Sequence, residues 1–279
     1  MSDPVPAIAE AAATGEIATI FADIRRVLGV DVVNLIWRHL ATLQGALPWA
    51  WGTLRPLYAG GMIAGHAAGL REDLDLPQIL PFPPEALAAA GLGDADMVAI
   101  RNVLAAYNRT NAMALIALSA LLRRLDGAPA PDGEAPPISV VLGDSQTAIP
   151  LPPLPTLTEL PPAVAQLVLT LNRLGTRRDQ PVLASMYRHL AYWPPYLALA
   201  WTLVAPLDSD ARLARAIADA TAQARMRAAR LASRLFHVPP LPAGGDADAA
   251  IRAAIEPFTS DVIARMVVIC AVLRAATGG

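Results

Sequence analysis

Two stretches of this sequence set a histidine beside an arginine in near-identical surroundings. They are Trp37-Arg38-His39-Leu40-Ala41 and, 150 residues on, Tyr187-Arg188-His189-Leu190-Ala191. Histidine can act as a general base or a metal ligand near neutral pH. No third or fourth His, Asp or Glu stands at ligand spacing beside either copy, so no metal site is completed. Duplicated residues hold a duplicated scaffold more often than they perform asymmetric chemistry, and His39 and His189 therefore read as structural. His66 and His237 have no evident partners and read as surface or packing residues.

Chemistry is expected where the copies differ. Asp179 is one such place, because its counterpart at the same offset is Gly29. It precedes Gln180-Pro181, which predicts a proline-started helix running through Tyr187. An aspartate there caps the helix, a contribution of about 1 kcal/mol. The same carboxylate could serve as a general base: amide donors keep it ionised, although they also weaken its basicity. The second place is Tyr107-Asn108-Arg109-Thr110-Asn111, where polar residues interrupt an apolar helical pattern over 97–124. An asparagine amide offers two donors and an acceptor, which suits a held water or substrate oxygen and equally an interhelical bond to a carbonyl. Aligning Ile100-Arg101 with Ile251-Arg252 sets Phe258 opposite Tyr107 and Thr259 opposite Asn108. The aromatic residues near the motif, Trp37, Tyr187, Tyr192, Trp193 and Tyr196, read mostly as core.

The elements that must position these residues repeat as well. Leu47, Ala50, Trp51, Pro56 and Leu57 return as Leu197, Ala200, Trp201, Pro206 and Leu207, and Pro83-Pro84 with Gly93-Asp94-Ala95 is echoed by Pro239-Pro240 with Gly245-Asp246-Ala247. Two copies are too few for a solenoid, so a face-to-face arrangement with a cleft between the copies is expected. Long Ala/Leu/Arg segments such as 210–236 carry apolar residues at helical spacing, and only Ile138 to Leu142 alternates like a strand. The stretch 127–162 is too rich in proline for continuous helix. These features predict an all-α protein of two homologous helical halves, residues 10–126 and 163–276, forming an intramolecular pseudo-dimer joined by a proline-rich linker over 127–162.

Composition excludes several function classes. The chain has 279 residues, 54% of them apolar, and a net charge of −2, which gives no electrostatic reason to bind nucleic acid or an anionic membrane. All 22 basic residues are arginine, a bias that reads as genomic composition. The apolar runs Ala112 to Leu122 and Tyr196 to Leu207 fall short of the roughly 18 residues that span a bilayer, and read as buried core helices. Met1-Ser2-Asp3-Pro4 opens without a secretory pattern, so a cytoplasmic location is expected. The single cysteine, Cys270, excludes an internal disulfide and a Cys-x-x-Cys redox pair. The expected partner is a small molecule; the high apolar content is also compatible with a homodimer.

The stretch Tyr187-Arg188-His189-Leu190-Ala191-Tyr192-Trp193-Pro194, its first-half partner at Trp37 and the two-half helical plan resemble the group I 2-haloacid dehalogenases. That family acts on both enantiomers of 2-haloacids. The resemblance covers most of the chain and implies a helical pseudo-dimer with one active site between the halves. It implies that an aspartate activates water, which displaces halide from C2 with inversion, without an ester intermediate and without a cofactor. Carried onto this sequence, the base is Asp179 and the water-holding amide is Asn108, with Asn111 as the alternative register. Phe258 belongs to the apolar wall, and Arg178, Tyr107, Asn111 and Tyr187 stand as substrate-binding candidates. The family pattern has a small hydroxyl residue where Arg178 stands and a bulky aromatic near Gly29-Val30-Asp31; this sequence departs from both. The expected substrate is a small carboxylate. Three other readings keep the residues in play: a noncatalytic binder of small apolar carboxylates, a helical AhpD-like enzyme, and a structural protein. The missing Cys-x-x-Cys argues against the peroxidase branch of the AhpD-like reading.

Overall fold

Helical periodicity is realised throughout the computed structural model, which describes residues 5–128, 151–236, 238, 241 and 246–278; no strand forms among them. The first part contains α1 (Gly15–Leu28), α2 (Leu35–Leu40), α3 (Ala46–Ala59), α4 (Met62–Glu72), α5 (Pro84–Ala89) and α6 (Asp94–Leu125). The second contains α7 (Pro162–Asn172), α8 (Ser185–Leu190), α9 (Pro194–Ser209), α10 (Arg212–Ala232), α11 (Ala247–Pro257) and α12 (Ile263–Ala276). A π-helical turn over Phe258–Val262 joins α11 to α12. The strand-like run Ile138 to Leu142, most of the proline-rich segment, His237, Pro239-Pro240 and Gly245 lie outside the described residues.

The order of elements recurs. Helix α2 starts at Leu35 and α8 at Ser185, and α4 starts at Met62 and α10 at Arg212, each pair 150 positions apart. The counterpart of the unbroken α6 is α11, the π turn and α12 together. The interruption follows Pro257, whose ring removes a backbone donor and crowds the preceding turn.

Helix α6 is the axis of the molecule. Its 32 residues span about 48 Å, and from Thr110 to Leu118 every side chain is buried. From Ala112 to Leu118 it is apolar on all sides because α4, α10 and α12 pack around it. Helix α10 meets it through a stripe of Ala216, Ala220, Ala224 and Ala228, one small residue per turn, which permits close approach. Cys270 of α12 is buried, its thiol 3.1 Å from the carbonyl of Leu104.

In the first half, Trp37, Trp51 and Tyr58 form an aromatic cluster with ring centroids 5.5–6.3 Å apart. Asp23 on α1 ties it down, accepting bonds from Trp51 Nε1 at 2.9 Å and Arg55 Nε at 2.6 Å. The bond from Arg55 is the main cause that lowers the Asp23 pKa to about 2. A depressed carboxylate stabilises the fold above its unfolded pKa and loses that contribution as pH falls from about 4 to 2. Asp23→Asn should therefore cost about 2 kcal/mol at neutral pH and flatten the unfolding free energy over that acid range.

The second half lacks this device, because Arg173 stands where the offset would place an aspartate. The run Tyr196 to Leu207 is accordingly not wholly buried. Tyr196, Leu197, Ala200, Val204 and Leu207 face the core, while Trp201 is 41% exposed on the outer side of α9.

Gly175, just past α7, has φ +74° and is wedged against α10 and α12: a Cβ there would lie 2.9 Å from Ile217 Cδ1. Gly175→Ala combines left-handed strain with that clash and is expected to lower stability by about 1–3 kcal/mol, readable as a drop in urea midpoint.

Candidate functional site

The coils that lead into the two repeated helices converge on one cavity of about 50 Å³. One water needs roughly 10–15 Å³, so the space admits a molecule of a few heavy atoms. Val30, Val33 and Asn34 approach from the first half, followed by Leu35 and Ile36 of α2; Leu183 and Ala184 approach from the second, followed by Ser185 and Met186 of α8. Ala106, Tyr107, Thr110 and Asn111 of α6 form a third side. Phe258 and Val262 of the π turn and Ile263 and Met266 of α12 form the fourth. The wider π turn sets Phe258 and Val262 against the cavity, a recurrent use of such turns at ligand sites. Leu151 closes it, so the end of the proline-rich segment is part of the wall.

Each coil is held by charged or amide side chains, partly buried in the first half and fully buried in the second. In the first half Glu10 accepts from the Val33 N–H at 2.8 Å and pairs with Arg25 at 2.5 Å, while Arg38 Nε donates to the Val33 carbonyl. In the second, Asn172 uses both ends of its amide: Nδ2 donates to the Val182 carbonyl at 3.2 Å and Oδ1 accepts from the Ala184 N–H at 3.0 Å. The fully buried Arg265 of α12 donates to the carbonyls of Asn172, Leu174 and Val182 at 2.8–3.3 Å, with Asp261 3.4 Å from its Nε.

The repeated histidines cross over. His39 stacks on Phe258 of the second half at 5.8 Å and hydrogen-bonds the Pro6 carbonyl at 2.7 Å. His189 shares a 2.7 Å hydrogen bond with the Tyr107 hydroxyl of the first half. Burial lowers the His189 pKa to about 4 and raises that of Tyr107, so both are neutral at pH 7. A histidine buried neutral opposes acid. Below its unfolded pKa of about 6.5 the unfolded chain binds the proton first, so stability falls as pH drops from about 6.5 to 4, by about 3 kcal/mol. His189→Gln should remove most of that slope in equilibrium unfolding measured from pH 7 to 4.

The polar groups at the cavity come from three of its sides: Asn34 from the first coil, Thr110 and Asn111 from α6, and Ser185 from the start of α8. Asn34 Nδ2 donates to Thr110 Oγ1 at 3.4 Å and Thr110 Oγ1 to the Ala106 carbonyl at 2.9 Å. Asn111 is 6% exposed, and its Nδ2 makes no hydrogen bond. That donor, with the Ser185 hydroxyl, is available to a bound oxygen. The remaining lining side chains are aliphatic or aromatic, and no carboxylate, imidazole or guanidinium lines the cavity among the described residues.

The sequence candidates divide accordingly. Tyr107, Asn111 and Phe258 are brought together at the cavity. Asn108 is not: it faces a different cleft, and its Oδ1 is buried without a hydrogen bond. Tyr187 is fully buried behind the wall. Arg178 lies outside on an exposed loop, its guanidinium bonded to Glu256 at 3.1 Å and Ser260 Oγ at 2.9 Å, so it is not placed to hold a substrate carboxylate. Asp179 is exposed in a bend and caps no helix. The helix expected at Pro181 begins instead at Ser185, because Asn172 and Arg265 take up the backbone of Val182 and Ala184 and keep that stretch non-helical. No group of acidic, histidine or cysteine side chains able to hold a metal occurs among the described residues, and no helix there is long and apolar enough to cross a membrane. Sequence reasoning singled out Thr110 within the polar stretch Tyr107–Asn111 and missed Asn34 and Ser185 at the cavity and the supports Asn172 and Arg265. Of these, Arg265 alone leaves a sequence signal, a lone charge inside the apolar run Val262 to Leu273.

No protein-family model matches the chain. A configuration-inverting 2-haloacid dehalogenase of Alcaligenes xylosoxydans xylosoxydans is 30% identical over 209 residues, which cover 71% of this chain and 68% of that protein. Among solved structures, a D-2-haloacid dehalogenase mutant superposes with a TM-score of 0.77 at 17% identity, covering 98% of this chain and 95% of that one. The complex of a D-2-haloacid dehalogenase with L-LA gives 0.74 at the same identity, covering 98% and 96%. These structures share the all-helical fold over nearly the full length.

Proposed function

The chain belongs to the family of configuration-inverting 2-haloacid dehalogenases, hydrolases of carbon–halide bonds, and from that premise we propose that it hydrolyses a small 2-halocarboxylic acid bound in the cavity between α2 and α8. The observation that carries this reading is the make-up of the cavity, a few unpaired polar groups set in an otherwise apolar wall. Asn111 Nδ2 and Ser185 offer bonds to a carboxylate oxygen or to water, and the aliphatic walls accept the halogen and the C2 substituent. With few polar groups among apolar ones, the carboxylate is fixed at Asn111 and Ser185 while hydrogen and halogen can exchange places against aliphatic side chains, which favours acceptance of both enantiomers. The face-to-face pairing of two related halves is part of the same reading.

In the reaction, water attacks C2, the C–O bond forms as the carbon–halogen bond breaks, halide leaves with the bonding pair, and the water proton passes to a base. Asp179 is the proposed base. It lies four residues before the wall residue Leu183, a stretch of up to about 13 Å, and no described ion pair or hydrogen bond restrains its carboxylate. The segment must carry it to the cavity mouth for turnover. A second reading rests on the described lining residues, which include no carboxylate: the protein binds such acids without turning them over.

The test is halide release and chiral analysis of the hydroxy acid from each enantiomer of 2-chloropropionate, without added metal. Both should be consumed with inversion, and Asn111→Ala should lower kcat/KM by about 10²-fold, as expected for loss of one oriented donor. Tight binding of 2-chloropropionate with no halide released establishes the second reading instead.

A further inference from the structure

A second cleft, of about 340 Å³, opens between the C-terminal ends of α4 and α12 where both cross α6. Arg71 enters from the last turn of α4 and Arg274 from the last turn of α12, with Asn108 of α6 beside them. Each arginine alone is explained by its helix, because cations are favoured at helix C-termini. Their meeting is not. Neither forms an ion pair or hydrogen bond among the described residues, and the one carboxylate at the cleft, Glu72, is exposed.

The cations also work against each other. Burial, then the charge of Arg274 and of Arg109, lowers the pKa of Arg71, and Glu72 only partly opposes this. Arg109 itself is turned away, its guanidinium on the carbonyls of Leu28 and Gly29. Asn108 adds an independent observation: it is 5% exposed, and its Oδ1 has no hydrogen-bond donor. A buried acceptor left unpaired is costly, and such groups are ordinarily satisfied by water or ligand.

We infer that this cleft is a binding site for a small hydroxycarboxylate, its carboxylate bridging Arg71 and Arg274 and its hydroxyl donating to Asn108 Oδ1. An arginine pair supplies the fork geometry that carboxylates take. The unpaired acceptor demands a ligand that also carries a donor, which a simple carboxylate lacks. The site is separate from the cavity that holds Asn111 and does not depend on the reaction proposed there.

Calorimetric titration with lactate, and with propionate as the analogue lacking the hydroxyl, tests the assignment on the full chain. Lactate should bind more tightly than propionate. Arg71→Gln and Arg274→Gln together should weaken lactate by tenfold or more, since charge-assisted bonds are removed. Both acids also fit the cavity that holds Asn111, so the titration is read as two classes of site, and Asn108→Ala should erase the preference for lactate only in the class that the two arginine substitutions remove. Equal affinity for the two acids in the native protein overturns the inference. So does a lactate titration that the double arginine substitution leaves unchanged in a protein with native circular dichroism.

Discussion

Arg265→Ala is expected to cost about 3–5 kcal/mol, the largest single-residue loss of stability in the molecule outside the apolar core. The guanidinium is fully buried and supplies the donors for the Asn172, Leu174 and Val182 carbonyls. Removing it strands the carbonyls of Asn172 and Leu174, leaves that of Val182 with Asn172 Nδ2 alone, and leaves Asp261, 8% exposed, with an uncompensated charge. Urea unfolding should show the midpoint fall sharply. A double substitution, Arg265→Met with Asp261→Leu, should recover part of the loss, because it removes both charges and keeps the volume. A single Arg265→Ala that loses less than about 1 kcal/mol would show that water reaches these carbonyls.

Asp179→Asn carries the largest expected effect on activity. A positioned general base contributes about 10²–10⁴-fold, so halide release from 2-chloropropionate should fall by that factor. Binding of the unreactive propionate should change by less than about threefold, since the carboxylate stands outside the cavity in the resting structure. Asn is close in size to Asp and the site is exposed, so the fold should be untouched. Halide release at the native rate in the variant would remove Asp179 from the mechanism and leave the proton to another acceptor.

The helices are legible in the sequence because apolar spacing alone specifies them: the alanine stripe of α10 and the polar interruption at Tyr107–Asn111 fall where periodicity places them. The start of α8 is not legible. Gln180-Pro181 has the local form of a helix start, yet Asn172 and Arg265, distant in sequence, claim the backbone of Val182 and Ala184. The choice between Asn108 and Asn111 is hidden for a similar reason. Residues three apart on a helix diverge by only about 60°, and neighbouring helices decide which amide meets which cavity. The pairing of Phe258 with Tyr107 is readable from the internal alignment, and both reach the cavity wall. That each would be held by the other half's histidine is not, since nothing in a repeated motif says which copy it serves.

That exchange of histidine partners bears on how such chains can vary by recombination. His39 needs Phe258, and His189 needs Tyr107, so two contacts at the cavity wall are each divided between distant parts of the gene. A crossover that joins the front of one relative to the back of another separates both pairs in a single event. Shuffling whole halves among relatives is therefore more disruptive than exchanging segments within a half, and the two halves are bound to be inherited as a matched set.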